Sequence, residues 1–524
     1  MRPFTPILLA ITITALVVAL TALARRLPIP SPILQVLAGL AVGFIPGLHV
    51  PELEPDVVFF IFLPPILWQA AFFTSVREFR QNLRPIGLLA VGLVFVTTAA
   101  VAITAHALFP GLPWAVAIAI GAIVSPPDAV AAAAIVSRLP VPRRVVVILE
   151  GESLVNDAAA LVLYRTAVAA AVTGAFSLGE AIVRFFIDAG VGALIGILIG
   201  WIVVRAVRWT KDSLAETLLT IAAPYLAWVA AEALHVSAVL ACVAGGIYVR
   251  QHFSTAVSAM SRLQSRAVWD LVVFSINALI FLILGVEFGP LMKQVPEGTL
   301  GSVLLSGVII SLVAIVLRLL WVPLATYLPR RLSADVRRRD PLPDRRSVTL
   351  VAWTGMRGIV SLAAALGLPL ALSSGLPFPY RAEIILVTMC VIMITLVLQG
   401  LTLTPMIRAF AFTPDYTNFE EEHHARREAL RRGVEALEDL SREGWTDADE
   451  VAALRRELYD RMEQQQRHGR DSASRRRLRM GVLNAERRML VRLRNEGAIS
   501  DEVLRELEQE LDHETVRVGA GDER

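Results

Sequence analysis

Long apolar stretches separated by short loops constrain this chain more than any other feature. Thirteen such stretches, most of them about 20 residues long, lie between residues 5 and 411. Backbone polar groups in lipid need partners within the same segment, so these stretches are expected to fold as transmembrane helices. We therefore predict an all-α polytopic membrane protein with 13 transmembrane helices over residues 1–411. A hydrophobic fraction of 55% agrees with this prediction, which argues against a soluble enzyme.

Loop charges predict the orientation in the membrane. Residues 1–411 hold 29 Lys and Arg against 20 Asp and Glu. Twenty-one of these basic residues lie in the loops that follow odd-numbered spans, and three lie on the opposite side of the membrane. The positive-inside rule then places the amino terminus outside and the carboxyl terminus inside. Because nucleic-acid binding would need one clustered basic face, no nucleic-acid partner is predicted.

Two interrupted spans occupy matching positions in the two halves. Spans 1–6 and 8–13 form two six-span repeats of opposite orientation, joined by span 7. The fifth span of each half, span 5 and span 12 of the chain, is broken, at Ser125–Asp128 and Gly355–Gly358 respectively. Inverted repeats with corresponding broken helices are the best sequence indication of a transporter's binding site.

Span 6 carries charge where lipid disfavours it, in the segment Gly151–Asp157. An intramembrane carboxylate is by default a functional-site candidate. At 1.5 Å rise per residue, Asp128, Asp157 and Arg357 all lie ~15–21 Å from the arginine-bearing edge. Carboxylate, hydroxyl and carbonyl oxygens suit a hard monovalent cation. A carboxylate that holds either that cation or a proton gives exchange at one site.

Other interpretations of these charges stay open. Asp128 is also suited to capping a half-helix, and capping together with cation binding is favoured over capping alone. Glu152 and Arg357 have opposite charge and similar depth, which favours an ion pair between span 6 and the broken span 12. Arg318 in span 11 is expected to have a comparable structural role with a carboxylate or carbonyl that the sequence does not identify.

These segments resemble the signatures of NhaP/NHE-type sodium/proton antiporters, the first monovalent cation:proton antiporter family. The resemblance covers residues 1–411 and includes Trp269 with residues 277–285 and residues 399–402. It implies a thirteen-helix fold that works as a homodimer, with a dimerisation domain and a core domain that carries the ion by an elevator-like movement. It implies no cofactor besides the transported ions.

Carried over residue by residue, the resemblance implies a site in span 6 and the span 5 break. Asp157 is then the ion- and proton-binding carboxylate, and Asp128 and Ser153 are Na⁺ ligands. A backbone carbonyl at Pro127 completes the site, although relatives often have Thr at this position. Asn156 would hold Asp128, and Glu152 would pair with Arg357. Because electrogenic relatives carry Asp where Asn156 stands, the resemblance implies electroneutral exchange.

Residues 412–524 form a predicted cytoplasmic helical tail. This segment holds 21 Lys and Arg against 27 Asp and Glu. Ala436–Gly444 resembles Met489–Gly497, and each precedes a second amphipathic helix, which predicts a duplicated helical hairpin. The tail's ligand is not identifiable from the sequence.

The sequence thus predicts a multi-pass antiporter of the bacterial cytoplasmic membrane. It is expected to exchange Na⁺ or Li⁺ for H⁺ in pH homeostasis, with monovalent cations and membrane lipids as partners and no enzymatic activity. A K⁺/H⁺ antiporter is the alternative within the same class. A membrane sensor that signals through its tail without transport is the alternative from another class.

Overall fold

The computed structural model describes residues 5–24, 30–45, 55–128, 132, 135–136, 139–174, 178–210, 212–257, 259–296, 298–412, 417–442, 447–466 and 472–496, with a few more between 503 and 515. Helices dominate these residues, as the sequence predicts. Contacts divide the chain into two compact units, Met1–Pro414 and Asp415–Arg524.

The first half of the larger unit begins with three apolar helices and ends at the helix of Asp157. Its helices are α1 (Thr5–Ala24), α2 (Ser31–Gly43), α3 (Pro55–Phe73), α4 (Val76–Gln81), α5 (Leu83–Gly87), α6 (Val94–Leu108), α7 (Trp114–Val124) and α8 (Arg143–Thr173). A π-helical segment, Leu88–Leu93, joins α5 to α6 into one continuous span.

The second half continues with long helices up to the second break. Its helices are α9 (Leu178–Thr210), α10 (Ser213–Ala233), α11 (Ala238–Ala256), α12 (Ala259–Gln294), α13 (Leu300–Leu332), α14 (Ala334–Arg339), α15 (Arg345–Trp353), α16 (Ile359–Leu366) and α17 (Arg381–Phe410). Within the described ranges, six helical stretches are long and apolar enough to cross a membrane, and four more are shorter apolar helices.

Contacts sort the helices of this unit into two groups. The first helix group comprises α1, α2, α3, α9, α10, α11 and α12, and the second comprises α5 to α8, α13 and α15 to α17. The groups meet where α3 packs on α16 and α12 packs on α17. Both predicted breaks lie in the second group.

Glycines allow the closest approach within the first helix group, between α2 and α12. A Cβ atom on Gly39 would lie 2.1 Å from the carbonyl oxygen of Leu282, and one on Gly285 would lie 2.2 Å from that of Val36. Small residues at such positions let backbones pack directly where lipid supplies no hydrophobic driving force. The backbones of α2 and α12 are therefore in direct contact.

The second unit contains α18 (Thr417–Leu440), α19 (Ala448–Gln466) and α20 (Ser472–Asn495). Helices α18 and α19 pack together, and Arg487 of α20 pairs with Asp512. Gly444 and Gly497, where the two similar segments end, lie outside the described residues. The duplication stays a prediction.

Candidate cation and proton site

Both predicted interruptions are present in the second helix group. Helix α7 ends at Val124 and the next four residues leave the helix, with residues 132, 135 and 136 helical again. Helix α15 ends at Trp353 and α16 begins at Ile359. The amide of Asp128 donates to the carbonyl of Met356 at 2.6 Å. The two breaks therefore contact each other directly.

Each break supplies a charge to the end of the other interrupted helix. The Nε of Arg357 donates to the carbonyl of Val124, the last residue of α7, at 3.1 Å. The amide of Ile359, at the start of α16, donates to Oδ2 of Asp128 at 3.4 Å. Cations favour helix carboxyl ends and anions favour amino ends. Asp128 thus caps the opposite half-helix, α16.

Gly358 is needed for this crossing because a side chain there has no room. A Cβ atom built on Gly358 would lie 1.7 Å from Oδ2 of Asp128. No real Cβ atom tolerates such a contact with a carboxylate. The absence of a side chain at Gly358 therefore leaves the space that the Asp128 carboxylate occupies.

A cavity of about 240 Å³ adjoins the crossing. Asp128, Pro127, Ser153 and Asp157 line it together, and its wall continues to Glu150. Asp157 is 8% exposed, whereas Glu150 is an exposed residue. The cavity thus leads from the buried carboxylate towards the arginine-rich end of α8. Its lining residues can supply carboxylate, hydroxyl and backbone carbonyl oxygens, which are the oxygen types a hard cation uses.

Asn156 lies behind this cavity and supports the first break. Its Nδ2 donates to the carbonyl of Pro127 at 3.1 Å, and the residue is fully buried. Asn156 thus contacts the peptide that immediately precedes Asp128, and its role in holding Asp128 stays a prediction. A carbonyl oxygen has two lone pairs, so that of Pro127 keeps one for a further donor or cation.

The predicted ion pair between Glu152 and Arg357 is wrong. Glu152 instead accepts two hydrogen bonds from Arg318, from Nη1 to Oε1 at 2.5 Å and from Nη2 to Oε2 at 2.9 Å. The two side chains are only 2% and 1% exposed. Arg318 is the residue for which the sequence named no partner.

Arg357 is satisfied by backbone groups rather than by a carboxylate. In addition to Val124, it donates to the carbonyl of Gly355, and its own amide donates to Oγ1 of Thr395 in α17 at 3.1 Å. Helix ends leave carbonyls without intrahelical partners. The broken α7 places one of these carbonyls beside Arg357, which the depth of the two charges in the sequence could not indicate.

Sequence reasoning missed Ser361 as a candidate site residue. Ser361 lines the same cavity and is 1% exposed. Its Oγ has no hydrogen-bond partner within the part of the chain that the structure describes. Spacing offered one signal, because residue 361 is one helical turn after Gly358 and therefore on the same side of α16.

Comparison with known proteins assigns the family. The profile described as "Sodium/hydrogen exchanger, transmembrane" matches residues 12–409. This chain belongs to the sodium/hydrogen exchanger family. The exchanger is therefore a transmembrane secondary transporter of ions, in a family that couples cation movement to proton movement.

Relatives of known sequence cover most of the exchanger. An uncharacterized Na⁺/H⁺ exchanger of Mycobacterium tuberculosis is 34% identical over 97% of this chain and 95% of its own length. The sodium, potassium, lithium and rubidium/H⁺ antiporter of Bacillus subtilis is 32% identical over 96% of this chain and 77% of its own.

A solved structure shares the exchanger's fold. The sodium proton antiporter MjNhaP1 of Methanocaldococcus jannaschii superposes with a TM-score of 0.58 at 20% sequence identity. The match covers 77% of this chain and 98% of MjNhaP1. At this identity the likeness concerns the fold alone.

Proposed function

We propose that this protein exchanges Na⁺ or Li⁺ for H⁺ across the bacterial cytoplasmic membrane. The observation that carries the proposal is the cavity that Asp157, Asp128, Ser153 and Pro127 line together. Asp157 binds either the cation or the proton, and Asp128, Ser153 and Pro127 supply further oxygens for the cation. Arrival of one ion then displaces the other at a single site.

Glu152, Asn156 and Arg357 support the site without touching the ion. Asn156 orients the Pro127 carbonyl, Arg357 fixes the end of α7, and Glu152 with Arg318 anchors the helix that carries Asp157. Because Asn156 is an amide and does not titrate, the site has one fewer proton-binding group than a site with Asp there. Exchange is therefore electroneutral, one cation for one proton.

The helix arrangement supports alternating access by an elevator-like movement. The second helix group contains both breaks and the proposed ion-binding residues, and the first group contains the close α2–α12 packing. The second group then carries the ion past the first, which serves as the scaffold of a homodimer. Thirteen membrane-spanning segments in two inverted halves, with the carboxyl-terminal tail inside, complete the proposed topology.

K⁺ is the second candidate substrate. The Bacillus subtilis relative, a potassium as well as a sodium, lithium and rubidium/H⁺ antiporter, is 32% identical to this chain. The oxygen ligands of the cavity are common to sites for all these ions, so the same residues serve either substrate.

Everted membrane vesicles with a pH-sensitive dye test the proposal. Adding Na⁺ or Li⁺ should dissipate the pH gradient in the wild type and leave it intact in Asp157→Asn. Asp270→Asn, which removes an exposed carboxylate of α12, is the matched control and should behave like the wild type. A response to K⁺ alone would favour the second candidate, and no response to any cation would favour the sensor. In proteoliposomes, flux driven by a membrane potential alone would contradict electroneutrality.

A further inference from the structure

Arginines converge on a second cavity, remote from the breaks, where α13, α14 and α15 meet. This cavity has a volume of about 540 Å³, within the range of ligand sites. Arg330, Arg331, Arg337 and Arg345 line it, and no carboxylate does so among the residues that the structure describes.

Only one of these four charges is compensated by a described residue. Arg330 donates to Oδ2 of Asp340 at 2.6 Å and to the Asp340 carbonyl at 3.1 Å. The side chains of Arg331, Arg337 and Arg345 are exposed and make no ion pair with any described residue. Three unpaired guanidinium groups around one cavity repel one another unless an anion occupies it.

The cavity also has an apolar wall that continues onto an exposed apolar side of α13. Pro323 and Tyr327 of α13 line it together with Leu342. Beside them, Leu320, Leu324 and Leu328 project from α13 at every fourth position, with exposures of 65%, 50% and 45%. A ligand that combines a phosphate with apolar chains matches both surfaces at once.

We propose that this cavity binds the phosphate headgroup of an anionic phospholipid. The guanidinium groups of Arg331, Arg337 and Arg345 donate hydrogen bonds to the phosphate oxygens, which accept such bonds with matching geometry. The acyl chains lie along the exposed leucines of α13. Basic pockets between transmembrane helices at the cytoplasmic side recognise lipid headgroups in this way. A free phosphate has the same headgroup chemistry but gains nothing from the leucines.

The site would connect the lipid composition of the membrane to the second break. Arg345 begins α15, the half-helix that ends at Trp353 immediately before the break. Lipid bound at the start of α15 therefore holds one end of the segment that positions Arg357. This inference does not depend on which cation is transported, because binding is measured directly.

The experiment measures the melting temperature of the purified, delipidated full-length protein with added lipid. Phosphatidylglycerol should raise the melting temperature and phosphatidylcholine should not. The variant Arg331→Gln/Arg337→Gln/Arg345→Gln should bind phosphatidylglycerol roughly 100-fold more weakly, because removing each arginine lowers the affinity for an anionic headgroup by a factor of roughly five. Arg205→Gln/Arg208→Gln/Arg266→Gln removes three exposed arginines from α9 and α12 and should retain the shift.

A second variant keeps the proposal testable if the triple variant does not fold. Thr349→Trp fills the cavity, which Thr349 lines, without changing charge, and should also abolish the lipid shift. Three results would overturn the proposal: an unchanged shift in both cavity variants, an equal loss in the α9 and α12 control, or an equal shift with inorganic phosphate alone. The last result would assign the cavity to a soluble anion.

Discussion

The Arg318 guanidinium binds Glu152 through two parallel hydrogen bonds in the interior of the second helix group. Nη2 of Arg318 also donates to the carbonyl of Val351 at 3.0 Å. One side chain thereby joins α13, the Asp157 helix α8 and the half-helix α15. The geometry of the site depends on this junction, although neither charged group lines the ion cavity.

Breaking this pair should destabilise the protein strongly. Glu152→Gln or Arg318→Met leaves one charge buried without its partner, which costs about 3–5 kcal/mol. Unfolding in mild detergent, followed by tryptophan fluorescence, measures the loss. In a double-mutant cycle, the coupling energy should be larger for Glu152 with Arg318 than for Glu152 with Arg357. A larger coupling energy for Glu152 with Arg357 would support the ion pair that was expected from the sequence.

Gly358→Ala should abolish transport while the fold is retained. The added methyl group would lie 1.7 Å from Oδ2 of Asp128, so the carboxylate has to move away from the cavity. A displacement of about 1 Å at a reacting group lowers rates by roughly 100-fold. Gly87→Ala is the control, because its methyl group would meet nothing within 4 Å. Sodium-driven proton flux in proteoliposomes measures both, and a normal rate for Gly358→Ala would contradict the crossing of the breaks.

Ser361→Ala should weaken cation binding without stopping exchange. The Ser361 hydroxyl lines the ion cavity with no partner among the described residues, so we expect it to bind the ion or a water molecule of its shell. Loss of about 1 kcal/mol per hydrogen bond corresponds to a KM increase of roughly fivefold. Ser311→Ala, whose hydroxyl is already bonded to the Gly307 carbonyl, should leave KM unchanged. Equal KM values for Ser361→Ala and wild type would remove Ser361 from the site.

Asp340→Asn should reveal a pH-dependent contribution to stability. Partial burial opposes ionisation, but hydrogen bonds from Arg144 and Arg330 outweigh it and lower the pKa of Asp340. A depressed pKa means that the stabilisation is complete above the ordinary aspartate pKa of about 4 and is lost as pH falls below it. At neutral pH we expect Asp340→Asn to lower the unfolding free energy by about 2 kcal/mol.

Thermal unfolding at a series of pH values measures this effect. The difference between wild type and Asp340→Asn should shrink as the pH falls below about 4. Asp335→Asn, at the exposed start of α14, should change stability by less than about 0.5 kcal/mol. A pH-independent difference for Asp340→Asn would show that its charge is not the cause.

Cross-linking the two helix groups should stop transport if the second group moves past the first. Arg165 of α8 pairs with Glu232 of α10 across the groups, and both side chains are exposed enough for labelling. In Arg165→Cys/Glu232→Cys, a bifunctional thiol reagent should block exchange, and the native Cys242 and Cys390 are buried. Ile61→Cys/Tyr225→Cys links α3 to α10 within the first group and should leave exchange intact. Continued transport in Arg165→Cys/Glu232→Cys after complete cross-linking would contradict the elevator-like movement.

Local patterns were enough to predict the helical fold class and the positions of the two helix breaks. Apolar length predicts membrane helices because lipid leaves the backbone no other partner. Proline and glycine clusters predict both breaks, since they remove donors and helix preference at a few adjacent residues. Asp157 was predicted to be a functional residue because the free energy of placing a carboxylate in lipid is high. These signals depend on neighbouring residues alone.

The choice of partners depended on the tertiary structure. By itself the sequence determined the helical membrane fold and the two breaks, and it predicted the carboxylates of the proposed site, because each follows from local composition and the low polarity of lipid. Depth along the chain favoured Arg357 as the partner of Glu152 and left Arg318 without a named partner. Only the packing of α13 against α8, and the carbonyl left free at the end of α7, assigned Arg318 to Glu152 and Arg357 to the backbone. A charged side chain in the membrane pairs with the groups that packing brings within hydrogen-bond distance. Sequence spacing does not specify the distance between side chains on different helices.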